Sequence, residues 1–410
     1  MNLSFFIYRK LRSTNDKNNI SSRIIKIAIT SVFLGVFVSL LAISIGKGLQ
    51  NSIKDKLYSL SPDIVISTYE NNSRGVLTEK MKDIQSIHDD IINQFPELEI
   101  AYSIEKPLLI SNNKSFESLI FKGVSKSFDF QNLNKFIIGN KIDNYLSRNN
   151  IIVSKRLSDK LDVEVGDNIT LYFQTSNSQS VPKLRSFKVS HLFNTDFPEF
   201  DENYVIGSTE SIQEIFRWHE NEYSSIDITV HNKSNISLTE NLLSQLNSIK
   251  DKNISIKSVQ SKYANIFSWV SIFDFNIIII TVLMVLVALI SIIITLFTLI
   301  FERVKMIGIL SSLGFNNWAL SKIFIYQGLD ILFKGVLPAN ILFFIITIIQ
   351  NQFKIIKLNP NDYYVDSIPL IIDITLIIYL NLSFLLITLI FLYFIFTSIT
   401  KFAPSININS

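Results

Sequence analysis

Residues 275–301 read FNIIIITVLMVLVALISIIITLFTLIF, 27 consecutive positions without a charge. A bilayer core about 30 Å thick is crossed by about 20 apolar residues of helix, so this stretch alone makes the chain a membrane protein. Three further uncharged runs qualify: 27–45 and 335–353 with 19 positions each, and 374–400 with 27. The overall hydrophobic share of 48% is ordinary for a globular protein. The clustering is what excludes a cytosolic enzyme.

Charge gives the orientation. Residues 1–26 carry six basic side chains against Asp16 alone, and the stretch after the second run carries Arg303, Lys305 and Lys322 against Glu302. Residues 47–273 carry 25 basic and 28 acidic side chains. Basic flanks stay cytoplasmic, which puts both termini and the 302–322 loop inside and residues 47–273 outside. The first run exceeds the usual apolar core of a secretory signal and no A-x-A site follows it, so a retained anchor is expected. The fold class predicted is an α-helical membrane protein with four transmembrane helices plus an α+β domain inserted between helices 1 and 2.

The expected segments follow from these boundaries. Residues 1–23 form an amphipathic cytoplasmic segment, 24–46 the first span and 47–272 the outer domain. Residues 273–301 are the second span, 302–317 a cytoplasmic helix and 318–350 the third span. An outer loop over 351–370, a fourth span over 371–400 and a cytoplasmic tail over 401–410 complete the chain.

Within the outer domain the pattern shortens. Strand-like runs occur at 63–67, 100–110, 116–124, 151–154, 169–173, 187–193, 204–206 and 225–230, and helical spacing at 79–95, 208–218 and 236–249. No catalytic constellation emerges. The chain has no cysteine, which excludes a disulfide scaffold, thiolate zinc sites and a thiol nucleophile. The four histidines are scattered, and Asp196, Glu199, Asp201 and Glu202 lack the ligand spacing of a calcium loop, so they are read as a solvated turn. No phosphate-binding G-x-x-x-x-G-K-[ST] is present. A net charge of +3 argues against nucleic acid as a partner.

Residues 301–330 describe a helix that leaves the membrane, stops and re-enters. Gly314 suits a left-handed helix stop, and Asn316 or Asn317 can cap the next helix. Ile307, Leu310 and Leu313 or Gly314 fall near one face, which either meets a partner or lies on the lipid headgroups.

The order Glu302, Arg303, Ile307, Gly308, Ile309, Leu310, Leu313, Gly314 resembles the signature of MacB/FtsX-type ABC transporter permeases. The later residues Asn316–Trp318, Lys322–Phe324, Tyr326, Gln327, Lys334 and Gly335, and the run 353–365, resemble the LolC/LolE-type subunits of lipoprotein-releasing transporters, in particular their Bacteroidetes-type versions. Met306, Phe315 and the pair Ser311 and Ser312 depart from the wider pattern.

The resemblance implies a periplasmic MacB-like core domain and a permease that binds no cofactor itself, with ATP and magnesium used by a separate LolD-like ATPase. It implies that Glu302, Arg303, Lys305, Ile307, Gly308, Leu310, Leu313 and Gly314 couple that ATPase to the spans. Other implied partners are a second permease copy or paralogue, a lipoprotein substrate, a LolA-like periplasmic carrier and the lipids of the inner membrane. Pro182 and Arg185, in the polar segment 174–186, match a carrier-contacting loop of the LolC type. An alternative keeps the same lever without transport, driving a periplasmic partner in the FtsX manner.

One polar group lies inside a span. Gln327, Asp330 and Lys334 are three and four residues apart and share a face of the third helix. Either they form a contact that shifts between helices, or Lys334 pairs with Asp330 near the cytoplasmic entrance.

Overall fold

The computed structural model describes residues 6–7, 20–69, 79–112, 115–143, 145–174, 181–250, 253–315 and 317–402. Most of the expected amphipathic segment 1–23, the centre of the polar segment 174–186, Asn316 and the tail from 403 lie outside the described residues. The chain divides into two compact units. One comprises Met1–Asn51, Ser271–Lys357 and Ser367–Ser410, the other Ser52–Val270 with Leu358–Asp366.

Among the described residues four helices are long and apolar enough to cross a membrane, with candidate spans Ser22–Leu60, Ala264–Glu302, Trp318–Phe353 and Ile374–Tyr393. The helices outrun the uncharged runs that identified them. The first continues from Ile20 to Leu60 through Lys47, Lys54, Asp55 and Lys56, and the second starts at Ala264 and includes Asp274. Charge ends an apolar run but not a helix. The first helix stops just ahead of Pro62, whose ring disfavours helical geometry in the residue before it. The fourth starts at Ile374 rather than 371, because Asp373 caps it, its Oδ1 accepting from the amides of Thr375 (2.9 Å) and Leu376 (3.2 Å).

The core of the helical unit is a seam of Ala28, Val32, Val36 and Leu40 against Ala288, Ile292 and Leu296 and against Ile331, Ala339 and Phe343, closed by Leu380, Phe384 and Leu392. Lipid tails are as apolar as these side chains, so close packing must hold the helices together. Glycine provides the approach. A Cβ on Gly335 would lie 2.6 Å from Val32 Cγ1, and one on Gly48 would lie 2.0 Å from the Pro369 carbonyl oxygen. Polar side chains stitch the connection between the third and fourth helices. Gln350 Nε2 donates to the carbonyls of Ile356 (3.0 Å) and Ile368 (3.2 Å), and its Oε1 accepts from the Ile356 amide at 3.0 Å. Asn351 pairs in both directions with the backbone of Leu370, at 2.7 and 3.2 Å.

Among its described residues the second unit has ten strands: β1 (Ile64–Thr68), β2 (Glu99–Asn112), β3 (Ser115–Val124), β4 (Ile137–Ile138), β5 (Asn150–Ser154), β6 (Asn168–Phe173), β7 (Lys183–Phe193), β8 (Tyr204–Ser208), β9 (Ser225–Thr229) and β10 (Ile254–Ser258). All lie between the first and second long helices in chain order. The sheet order is β10-β1-β9-β2-β3-β8-β5-β7-β4, with β6 bridging β2 and β7. Strands β3 and β8, and β5 and β7, run parallel; the other pairs are antiparallel. Phe121, Phe173 and Phe187 form the centre of the core, with ring centroids 5.5 to 6.2 Å apart. The helix expected from residue 79 begins at Ile84, because Asp83 takes a left-handed backbone with φ 57°.

Two readings need correction. The acidic turn is solvated only in part: Glu199 and Glu202 are exposed, but Asp201 is 2% exposed and its carboxylate accepts from the Thr195 hydroxyl (2.6 Å) and amide. The outer loop is not one loop either, since Leu358–Asp366 belongs to the strand unit. There the Tyr364 ring lies 4.8 Å from that of Phe197, and Lys56 Nζ donates to the Tyr364 carbonyl at 2.9 Å.

Glycine packing predicts a pair of outcomes. Gly48→Ala should lower the stability of the detergent-solubilised protein by about 1–3 kcal/mol through overpacking. Gly308→Ala, whose Cβ would meet nothing within 4 Å, should leave the thermal midpoint equal or higher.

A second prediction comes from Lys106, which is 5% exposed with its ammonium 4.6 Å from the Phe216 centroid and 4.5 Å from that of Trp218. Burial pulls its pKa from the ordinary 10.5 down to about 8. Between those values the unfolded chain holds more protons than the folded one, so this group makes stability rise with pH from about 8 to 10.5. Thermal melts over that window should show a shallower rise for Lys106→Met than for the wild type.

Candidate functional site

The turn between the second and third long helices is a small structure of its own. After Glu302 the Arg303 amide donates to the Ile300 carbonyl at 3.1 Å, and a separate helix follows over Val304–Ser312. Gly314 adopts φ 86°, and the Phe315 amide reaches back to the Leu310 carbonyl at 3.0 Å. That six-to-one bond with a left-handed residue inside it is a Schellman stop, and glycine is the residue that meets it without a Cβ penalty.

The faces of this helix divide differently from the expectation. Ile307 and Leu310 are half-buried. Ile309 is 62% exposed and Leu313 73%. Glu302, Lys305, Gly308 and Ser312 are exposed with them. At 100° per residue, positions 305, 308, 309, 312 and 313 share one side. The apolar side chains this helix exposes are therefore Ile309 and Leu313, flanked by Glu302 and Lys305, while Ile307 and Leu310 turn away. Ile309 was legible in the signature but not as the outward residue, since spacing fixes a face without saying where it points. Arg303 is half-buried, and its Nη1 is a buried atom without a hydrogen-bond partner among the described residues.

On the third helix Lys334 Nζ donates to Asp330 Oδ2 at 2.5 Å, with 39% and 21% of the two side chains exposed. Gln327 is half-buried one turn away. A contact that sequence reasoning missed lies deeper in the same helix. Asn340 and Asn381, on the third and fourth helices, exchange two amide hydrogen bonds of 3.1 and 3.0 Å. Asn340 also donates to the Val336 carbonyl at 2.8 Å. The available signal was an asparagine between apolar neighbours in each of the two runs.

At the end of the strand unit Pro182 is exposed just ahead of β7. Arg185 is not free to reach outward: its Nη2 donates to Glu214 Oε2 (3.0 Å) and Asn149 Oδ1 (3.1 Å). The Arg185 hydrogen bond and charge hold the Glu214 carboxyl below its ordinary range. What stands exposed there is apolar. Leu109, Tyr172 and Leu184 face one another across β2, β6 and β7. The Phe116 ring packs edge-on against Tyr172 at 6.3 Å. Phe116 is 67% exposed, Leu184 56% and Val181 80%.

Two family models match the chain. The one described as MacB-like periplasmic core domain covers residues 27–246, and the one described as FtsX-like permease C-terminal covers residues 278–404. Relatives include a lipoprotein-releasing system transmembrane protein LolC of Buchnera aphidicola subsp. Schizaphis graminum, 24% identical and spanning 90% of each chain. Another is a lipoprotein-releasing system transmembrane protein LolE of Haemophilus influenzae, 22% identical and again spanning 90% of each chain. Among solved structures, the periplasmic region of MacB from Actinobacillus actinomycetemcomitans overlaps 51% of this chain and 95% of its own at 11% identity. Its TM-score of 0.34 is too low to bear on the fold.

The amide pair yields a prediction. Replacing Asn340 or Asn381 with Leu should destabilise the helical unit, and a double-mutant cycle in detergent should give a coupling of about 0.6–1.7 kcal/mol. Additive single effects would show that the two amides do not act together.

Proposed function

The chain belongs to the MacB/FtsX-type ABC transporter permeases, and from that premise we propose that it is the membrane subunit of a lipoprotein-releasing transporter. The observation that carries the reading is the length of its likeness to proteins named LolC and LolE, 90% of both chains in each of two relatives. The chain would sit in the bacterial inner membrane with both termini cytoplasmic, placing the strand unit in the periplasm. The basic flanks at 1–26 and 303–322 support that orientation.

The physical task explains the architecture. At about 0.8 kcal/mol per buried CH₂, a lipoprotein with three acyl chains of roughly 15 methylenes each would cost on the order of 36 kcal/mol to expose to water. Release therefore needs an apolar path from membrane to carrier, and an energy source. A LolD-like ATPase would supply the energy by pushing on the outward face of Val304–Ser312, where Ile309 and Leu313 are exposed. The Gly314 stop makes that helix a defined handle rather than a slack loop. Motion would travel along the first and second long helices, each of which contributes residues to both units.

At the receiving end the row of exposed Leu109, Phe116 and Leu184 around half-buried Tyr172 is better suited to an apolar carrier surface than Arg185, which is held by Glu214 and Asn149. Pro182 would flank that contact. A second permease copy or paralogue would complete the wall around the lipid.

The reading is tested at the handle. Ile309→Asp with Leu313→Asp should cut co-purification of the ATPase subunit, and ATPase activity of the complex, by about tenfold or more. Wild-type complex formation by the double variant would contradict the assignment.

A further inference from the structure

The strand unit contains an open cavity of about 550 Å³ that no step of the proposed transport uses. Its lining includes Glu199, Ser261, Lys262, Tyr263, Trp269 and Tyr364. The chemistry is sorted by end. Tyr364 donates its hydroxyl to Glu199 Oε1 at 3.0 Å, and the Trp269 ring stands edge-on to Tyr364 with centroids 5.9 Å apart. Two aromatic rings beside a carboxylate attract an organic cation. On the Tyr263 side the ammonium of Lys262 lies 5.6 Å from the Tyr263 centroid, with Ser261 next to it in the chain. A cation and a hydroxyl suit an anion. Burial works against the Lys262 charge, but Glu105, Tyr263 and Tyr204 outweigh it and hold its pKa above the ordinary value, so the ammonium persists.

The walls are held in place before any ligand arrives. Tyr364 and Tyr263 both rest on the buried ring of Phe197, at 4.8 and 6.3 Å. Tyr364 takes a left-handed backbone with φ 59°, rare for so large a residue, and is fixed there by Lys56 on its carbonyl and Glu199 on its hydroxyl. Burial and the Glu199 contact push the Tyr364 hydroxyl up to about 12, so it remains a donor.

The position on the chain narrows the ligand. Trp269 belongs to the same helix, Ala264–Glu302, that enters its uncharged run at Phe275. At about 1.5 Å per residue the indole stands about 9 Å along the helix from the start of that run. That is headgroup depth, where tryptophan concentrates in membrane proteins.

We propose that this cavity binds the zwitterionic headgroup of phosphatidylethanolamine, its ammonium between Trp269, Tyr364 and Glu199 and its phosphate on Lys262 and Ser261. The site goes beyond the lipoprotein reading and does not depend on it, because a resident membrane lipid would serve the permease whatever cargo it moves.

The test uses the full chain in detergent and native mass spectrometry, with short-chain phosphatidylethanolamine, phosphatidylglycerol of the same acyl length, O-phosphoethanolamine and inorganic phosphate as probes. The wild type should bind phosphatidylethanolamine about tenfold more tightly than phosphatidylglycerol. Glu199→Gln and Trp269→Ala should each remove about that factor, whereas Trp269→Phe should keep most of it, and the melting profiles of all three should stay near wild type. O-phosphoethanolamine should compete and inorganic phosphate should not. Equal binding of the two lipids would overturn the proposal, as would competition by phosphate alone or full binding by a folded Glu199→Gln. None of these outcomes bears on whether the ATPase binds at Ile309 and Leu313.

Discussion

Backbone that enters hydrocarbon must find its hydrogen bonds within the protein, and that constraint orders the rest of this structure. It makes the four long runs helices and confines the strands to the chain between the first two of them. It also explains where the polar side chains of the helical unit lie. Within the third helix the Asn340 side-chain amide is not left in hydrocarbon: it bonds the Val336 carbonyl and exchanges a pair of bonds with Asn381. Where the helix ends, Gln350 and Asn351 supply the partners that the non-helical backbone of Ile356, Ile368 and Leu370 needs.

The same constraint separates holding from moving. The seam of alanines, valines and glycines lets helices approach closely, as at Gly335 on Val32. The segment over 302–315, by contrast, presents apolar side chains away from its own unit and has an unfilled approach at Gly308. A rigid seam with one outward handle is what a machine driven from outside its own chain requires. The permease family to which the chain belongs fits that division.

Much of this was legible in the residues. Uncharged runs located the helices because lipid leaves no other reading, and the left-handed stop at Gly314 followed from glycine in that place. Four kinds of feature were not legible. Helix ends outran the apolar runs, as at Lys54 and Asp274, because membrane limits and helix limits answer to different forces. The direction of the amphipathic face at Ile309 depends on what packs behind Ile307 and Leu310, which no periodicity contains. The burial of charged strand positions is another: Glu105 and Lys122 sit opposite each other on β2 and β3 with Asp227 nearby, all at most 5% exposed. The attachment of Leu358–Asp366 to the strand unit rests on long-range contacts of Tyr364 and Asn361 that local sequence does not announce.

The central claim is that motion delivered to a cytoplasmic handle moves a lipid-anchored cargo. It is tested most directly by proteoliposomes holding this permease, its ATPase subunit and a labelled triacylated lipoprotein, with a periplasmic carrier outside. The account predicts that label passes to the carrier only when ATP, the ATPase and the carrier are all present. ATP hydrolysis by an intact complex with the lipoprotein left in the membrane would contradict it.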